Sequence, residues 1–349
     1  MQKAEAIWAL GTEPTRLEQG PRAAMLRSDG QRIHEFGPVD HQTYSSAQRR
    51  LIRAASGDAA SFDAAAEAVE TAHAALLSRF GLADLIGFAG QELAGTDTLI
   101  GSGTVLAEVL GLPVVWDFAA ADQGLGGNGF PLTPFFHFAC TQWLGLDRPV
   151  AWLDLGKLAR ITWIDPHAHD PADNGVCLAF EAGPGPGMLN EPQKAGKETN
   201  ALVDEAILAS FLKHPFFFRK PPKLMEDSGF SDFAERLSGI SRADARATAL
   251  AAIGQSVALA TAHFPTPVAR IIACGAWRRD SRLLAMIAAA TGCPVQPVEE
   301  LGLDGDAMEA QAFAHLAVRV MQGLPTSCPG TTGVRAAIGG GVISRPGAS

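Results

Sequence analysis

The residues best placed for chemistry are carboxylates at the ends of apolar runs. In the stretch CLAFEAGPGPGMLN, Cys177 to Asn190, the run ends at Glu181 and passes at once into Ala182-Gly183-Pro184-Gly185-Pro186. A carboxylate at a strand end is a candidate general base, and glycines just after it let backbone N–H groups approach an anion. Asp117 and Asp122 precede Gly126-Gly127-Asn128-Gly129, which reads as a turn before a buried helix. His167 and His169 have a metal-like spacing. In a loop after a strand such a pair reads as solvated, so no metal ligands are assigned. The five cysteines are odd in number, widely spaced and without a CxxC, which argues against a disulfide framework and a zinc site.

Positioning these groups requires strands and helices in a definite order. Residues 5–10 read as a strand, and 23–29 and 31–37 as two more around the turn signal Asp29-Gly30. Helical patterns follow over 44–56 and over 61–80, with Ser61 as expected N-cap and Gly81 as expected stop. Next come a buried strand ADLIGFAG, a helix over 102–111 ending at Gly111, a strand over 112–118, a glycine-rich loop and the buried helix PFFHFACTQWLG. A second unit then opens in the same way, with apolar strand-like runs at 149–156, 158–165 and 176–183. It continues through VDEAILASFLKH, a proline-rich connection, a helix over 241–264, a strand over 269–275, the helix DSRLLAMIAAATG and the strand PVQPVEE. The helix over 304–323 closes the pattern. The repeat is one of architecture and not of residues.

At 349 residues the chain is long enough for two domains, each with its own core. A formal net charge of −9 argues against a nucleic-acid partner. No window of apolar residues is long enough to span a bilayer, and the first residues lack a secretory pattern. These features lead us to expect no membrane partner and a cytoplasmic location.

Two halves of this kind resemble the two-domain ribonuclease-H-like α/β fold of actin, sugar kinases and heat-shock ATPases. Within it the chain resembles the anhydro-N-acetylmuramic acid kinase family. The resemblance is carried by GLPVVWDF, GGNGFPLTPFFHFA, AGPG, HPFFFRKPPK and GLDGDAMEAQAFAHLAVRVMQGLPTSCPGTTG, and covers nearly the whole chain. It implies domains at 1–148 plus 306–349 and at 149–305, with an interdomain cleft for ATP, Mg2+ and an amino sugar. It also implies a homodimer. The family activity is ATP-dependent ring opening and phosphorylation of 1,6-anhydro-N-acetylmuramic acid in peptidoglycan recycling. Such a reaction needs an anion cradle, a base and cations.

The same resemblance shows where the chain departs. The family's first phosphate loop, S-G-T-S-x-D-G-x-D, falls on residues 14–22, where Gly20 alone is kept and Gln19 and Arg22 stand for the two Asp. Its G-x-H-G-Q-T turn becomes GFAGQEL, keeping Gln91 but losing the histidine to Ala89. In its D-F-R…D stretch, Asp117 and Asp122 persist and Ala119 replaces the arginine. The N-x-G-G-x-x-N hairpin reads Asp154, Leu155, Gly156, Lys157, Leu158, Ala159, Arg160, where Lys157 and Arg160 could supply positive charge to a phosphate. The base motif D-T-G-P-G-N reads Glu181, Ala182, Gly183, Pro184, Gly185, Pro186. The added methylene displaces the carboxylate by about 1 Å, enough for roughly a hundredfold in rate. The C-G-G-G loop reads Cys274, Gly275, Ala276, Trp277. Trp277 either fills the space of the adenosine or swings out to stack on a base; filling is the favoured alternative.

The resemblance therefore gives Glu181 as the catalytic position. Gly20, Gly156, Lys157, Arg160, Gly183, Gly185, Gly275 and Trp277 fall at the nucleotide and phosphates, and Gln91, Asp117 and Asp122 at the sugar. The departures concentrate in these loops while the scaffold matches. That pattern favours a binding or regulatory protein over a working kinase. Two alternatives stand beside it: an active kinase with a rewired site, using Glu181 as base with Lys157, Arg160 or Arg16 on phosphate, and a structural partner of an intact kinase subunit.

Overall fold

In a computed structural model of the chain, residues 5–14, 17, 19–93, 99–189, 201–225 and 229–347 are described. They form two compact units. Unit 1 comprises Met1–Trp143, Ala307–Pro329 and Val334–Ser349, and unit 2 comprises Leu144–Asp306 and Gly330–Gly333. Among the described residues, no helix is long and apolar enough to cross a membrane.

Unit 1 opens with β1 (Ile7–Pro14), β2 (Pro21–Ser28) and β3 (Ile33–His41), an antiparallel meander. Then come α1 (Ser46–Ala55), α2 (Phe62–Leu77), β4 (Leu85–Phe88), the short pair β5 (Gln91–Glu92) and β6 (Leu99–Ile100), α3 (Gly103–Leu110), β7 (Val114–Trp116), α4 (Ala120–Gly124) and α5 (Pro134–Trp143). Unit 2 repeats the opening with β8 (Val150–Leu155), β9 (Leu158–Ile164) and β10 (Cys177–Pro184). It continues with α6 (Glu205–Phe211), α7 (Ser231–Ser238), α8 (Arg242–Thr261), β11 (Ile271–Cys274), α9 (Ser281–Thr291) and β12 (Val295–Pro297). The chain returns to unit 1 with α10 (Met308–Met321) and β13 (Val342–Ser344).

The two sheets have one topology. In unit 1 the order is β13-β7-β4-β1-β2-β3, and in unit 2 it is β10-β9-β8-β11-β12. In each, the first three strands are antiparallel and the next two add in parallel beside the first; in unit 1, β13 then adds at the edge antiparallel to β7. This 3-2-1-4-5 arrangement is the ribonuclease-H-like topology expected from the repeat.

Strand alternation explains how unit 1 is layered, since successive side chains leave opposite faces. Leu10 and Ile86 join Ile52, Val69, Leu76 and Leu106 in one core, so α1, α2 and α3 cover that face. Their neighbours Gly11 and Gly87 are cross-strand partners and face α10 on the other side. A Cβ on Gly11 would run into the carbonyl oxygen of Ala310 and the amide of Ala314, and one on Gly87 into the carbonyl oxygen of Phe313. The helix therefore lies on bare backbone.

Several ends differ from the sequence pattern. The stretch over 61–80 starts in a 3-10 turn, Ala59–Ser61, whose cap is Asp58, accepting from the Ala60 amide. Ser61 makes no capping bond, and α2 ends at Leu77, before Gly81. Gly111 and Ser241 do act as the pattern predicts: Gly111 is left-handed at the end of α3, and Ser241 accepts from the Asp244 amide at the start of α8. Helix α7 lies between the proline-rich connection and α8, in a stretch to which the sequence pattern assigns no element. The tertiary burial of Phe233 anchors it, a signal that short segment does not show by itself.

Candidate functional site

In unit 2, three charged residues form a row across three strands. Asp154 of β8 pairs in register with Arg160 of β9, and Arg160 with Glu181 of β10. Each lies between residues of the unit-2 core, Leu153 and Leu155, Ala159 and Ile161, Phe180 and Ala182. Alternation thus puts all three on the face away from α8 and α9. The Arg160 Nε lies 3.5 Å from Glu181 Oε1. Burial pushes the Asp154 carboxyl up, and the Arg160 guanidinium partly offsets this.

Glu181 is only 2% exposed. Its Oε2 accepts from the Met225 amide at 2.6 Å, and its own amide donates to the Lys223 carbonyl at 3.1 Å. The segment at 223–225 therefore runs along the outer edge of β10 and ties down the carboxylate. Lys223 is itself buried, its Nζ donating to the carbonyls of Phe216 and Phe217 at 3.0 Å each. A bulge at Ala182 shifts the register just after Glu181. The Glu181 carboxylate is thus an acceptor for an amide and an ion-pair partner. Replacing it with alanine is expected to destabilise unit 2 by about 2 kcal/mol, because a buried charged acceptor is lost and Arg160 is left against Asp154 alone. Urea unfolding followed by the Trp152, Trp163 and Trp277 fluorescence measures this; a loss under about 0.5 kcal/mol would contradict a structural role.

The glycines beside it are packed against protein. The Gly185 amide donates to the Lys157 carbonyl at 2.9 Å, and the Gly187 amide to the Gly156 carbonyl at 3.0 Å. A Cβ on Gly183 would lie 2.6 Å from Ser256 Oγ, and one on Gly185 would strike the Gly156 carbonyl oxygen. Gly156 has no such neighbour: its nearest atom would be 3.7 Å from a Cβ. Lys157 is exposed at the hairpin tip. Gly275 is left-handed, and a Cβ there would strike Asp154 Oδ1. Trp277 is 2% exposed and lies in the unit-2 core with Leu155, Leu283 and Ile287.

The loop after Trp277 carries a cluster that the sequence alone did not reveal. Arg278 is buried, with Nε 2.7 Å from Glu299 Oε1 and Nη2 2.7 Å from Asp306 Oδ1. Arg279 reaches the same carboxylates at 2.8 and 3.3 Å. Burial raises the Glu299 carboxyl, but the bond from Arg278 leaves it below the usual carboxylate range.

In unit 1, Gly20 is buried and left-handed, and a Cβ would strike the Gln42 carbonyl oxygen and crowd the Tyr44 amide at 2.7 Å. Tyr44 in turn donates its hydroxyl to Gln91 Oε1 at 3.0 Å, and Gln91 Nε2 donates to the Glu92 carbonyl. Burial pushes the Tyr44 phenol up, which keeps it a donor. Arg22 Nη1 lies 3.7 Å from Oε1 of its cross-strand partner Glu13. Arg16 falls outside the described residues. Asp117 ends β7 half-buried with φ 52°, the one left-handed non-glycine residue among those described. Asp122 is buried; Oδ1 accepts from the Gly129 amide at 2.7 Å and Oδ2 from Ser327 Oγ at 2.5 Å. His167 and His169 are exposed.

The structure thus brings Glu181, Arg160, Gly156, Lys157, Gly183 and Gly185 together, and sets Gly275 against Asp154. It joins Gly20 to Gln91 through Tyr44, and places Asp122 inside its own glycine loop. Sequence reasoning missed Asp154, Met225, Glu299 and Asp306. Hairpin register pairs Asp154 with Arg160 and could have revealed the first; the others depend on long-range contacts.

A family model described as anhydro-N-acetylmuramic acid kinase matches residues 88–346, beginning after the first hairpin. The chain is 48% identical to an anhydro-N-acetylmuramic acid kinase of Cereibacter sphaeroides, over 99% of this chain and 98% of that one. It is 42% identical to anhydro-N-acetylmuramic acid kinase 1 of a Jannaschia species, over 98% and 96%. Among solved structures, an inorganic polyphosphate/ATP-glucomannokinase from an Arthrobacter species is similar at 12% identity and a TM-score of 0.42, covering 91% of this chain and 99% of that one. With topology, motif stretches and full-length identity in agreement, the chain belongs to the anhydro-N-acetylmuramic acid kinase family.

Proposed function

We propose that this protein is a member of its family that has given up phosphoryl transfer from ATP to 1,6-anhydro-N-acetylmuramic acid and serves as a binding or regulatory protein of amino-sugar metabolism. The observation that carries this reading is Glu181. A general base needs a lone pair that can reach the reacting proton. Here the carboxylate is 2% exposed, its Oε2 accepts from the Met225 amide, and its Oε1 lies 3.5 Å from Arg160 Nε in an ion pair.

The family activity implies ATP, and kinases of this kind use Mg2+ with it. The residues present fit both poorly. The amides of Gly185 and Gly187, which a phosphate would need, bond to the hairpin opposite. Arg22, Arg278 and Arg279 lie against carboxylates of their own chain. Trp277 is enclosed in the core where the family keeps a glycine. Arg22, Arg160, Arg278 and Arg279 each have a carboxylate nearby, as expected of loops selected for stability once an anion no longer occupies them.

The second reading, an active kinase with a rewired site, draws on Lys157, which is exposed at the hairpin tip and could contact a phosphate. Incubation with Mg-ATP and 1,6-anhydro-N-acetylmuramic acid, with ADP release as readout, decides between them. We expect no turnover above background. Turnover within about a hundredfold of an active relative, the loss one misplaced group gives, would overturn our reading. Thermal shifts with ATP and with the sugar, each alone, then report which ligand is kept. On this reading the protein is cytoplasmic and a homodimer, which sedimentation tests directly.

A further inference from the structure

Unit 2 contains a second feature that shares no residue with the hairpin and glycine loops. It is an open cavity of about 510 Å³ between α6, the 3-10 turn Pro215–Phe218 and α7. That volume is within the range of about 300–1,000 Å³ common to small-molecule sites. Its inner wall is aromatic: Phe211, Phe216, Phe230 and Phe233 are all buried and all line it. These rings brace one another, with Phe211 centred 4.2 Å from Phe233 and 5.4 Å from Phe230. The wall is therefore preformed.

The mouth has the opposite character. Lys213, Arg219 and Arg236 line it and are exposed, and among the described lining residues Asp232 is the one acid. Among the described residues none of these three cations is salt-bridged, and the Arg219 guanidinium makes one hydrogen bond, to the Leu224 carbonyl at 3.4 Å. Aromatic walls with a cationic rim suit a ligand that has an apolar body and a negative head. We propose that this cavity binds a small amphiphilic anion, its aryl or alkyl part among the phenylalanines and its carboxylate or phosphate against Lys213, Arg219 and Arg236.

The position gives such a ligand a route to the old base position. Met225 lines the cavity, and its amide is the one that holds Glu181. Phe233 lines both this cavity and a small adjoining one, of about 40 Å³, against Pro184 and Gly185. An occupant would press on the segment that clamps Glu181.

Titration calorimetry of the full chain with 1-naphthyl phosphate, 1-naphthol and inorganic phosphate tests the assignment. We expect 1-naphthyl phosphate to bind with a Kd below about 1 mM and each of the other two at least tenfold more weakly. Arg236→Glu should weaken 1-naphthyl phosphate tenfold or more and leave 1-naphthol unchanged, as loss of one charge-assisted contact predicts. Lys213→Glu gives the same test should Arg236→Glu fail to fold, judged by circular dichroism. The Met225 methyl resonance should shift on titration. The proposal falls if none of the three probes binds at 2 mM, a concentration about twice that Kd limit. It falls equally if inorganic phosphate or 1-naphthol binds as well as 1-naphthyl phosphate, or if neither charge reversal changes affinity. The ADP assay above is independent of these outcomes, so a failure of one reading does not count against the other.

Discussion

Gly11→Ala is expected to cost unit 1 about 3 kcal/mol or more and to lower its melting temperature by several degrees. Overpacking is usually relieved by the far ends of flexible side chains. Here the added methyl would meet the Ala310 carbonyl oxygen and the Ala314 amide, both backbone of α10. Relief requires the helix to move off β1 and β4, breaking its contact with the Gly11–Gly87 pair. Gly87→Ala should behave alike, since it meets the Phe313 carbonyl. Gly81→Ala is the control: no atom lies within 4 Å of a Cβ there, and the change should stay within about 0.5 kcal/mol. Urea unfolding followed by fluorescence of Trp8, Trp116 and Trp143, all in unit 1, separates this from unit 2. A loss below about 1 kcal/mol would show that α10 can shift without penalty.

Acid should unfold unit 1 well before ordinary carboxylate titration would. Three histidines, His73, His137 and His315, are buried there. Burial holds His73 down to about 4, and His137 and His315 down to about 3, from an ordinary 6.5. The Nδ1 of His73 lies 2.8 Å from the Val69 carbonyl, so the neutral ring donates there. The sign follows from proton counts. Below about pH 6.5 the unfolded chain takes up protons on these rings that the folded chain refuses, so stability is complete above that pH and falls with acid. For His73 alone the loss down to about pH 4 amounts to roughly 3 kcal/mol. With two further rings adding to it, the unit-1 signal in urea titrations at pH 7, 6, 5 and 4.5 should weaken steadily, while His137→Phe flattens the dependence. A unit-1 stability that does not change between pH 7 and 4.5 would refute this.

The scaffold was largely legible in the sequence because it rests on local and periodic signals. Apolar alternation marked the two three-strand openings, Asp29-Gly30 marked a turn, and Gly111 and Ser241 marked helix ends with the geometry their residue types favour. The failures were local as well. Asp58 displaced Ser61 as a cap because a 3-10 turn precedes α2, and α7 went unassigned because it is short and its anchor, Phe233, is set by packing.

By itself, then, the sequence determined the family and the order of strands and helices, since identity, periodicity and spacing are one-dimensional facts. Only the tertiary structure decided what the loop residues touch. The Met225 amide reaches Glu181 across 44 positions. Arg278 meets Glu299 and Asp306 from 21 and 28 positions away. Whether a carboxylate is a base or a brace depends on which donors surround it and whether water reaches it, and those are properties of packing in three dimensions.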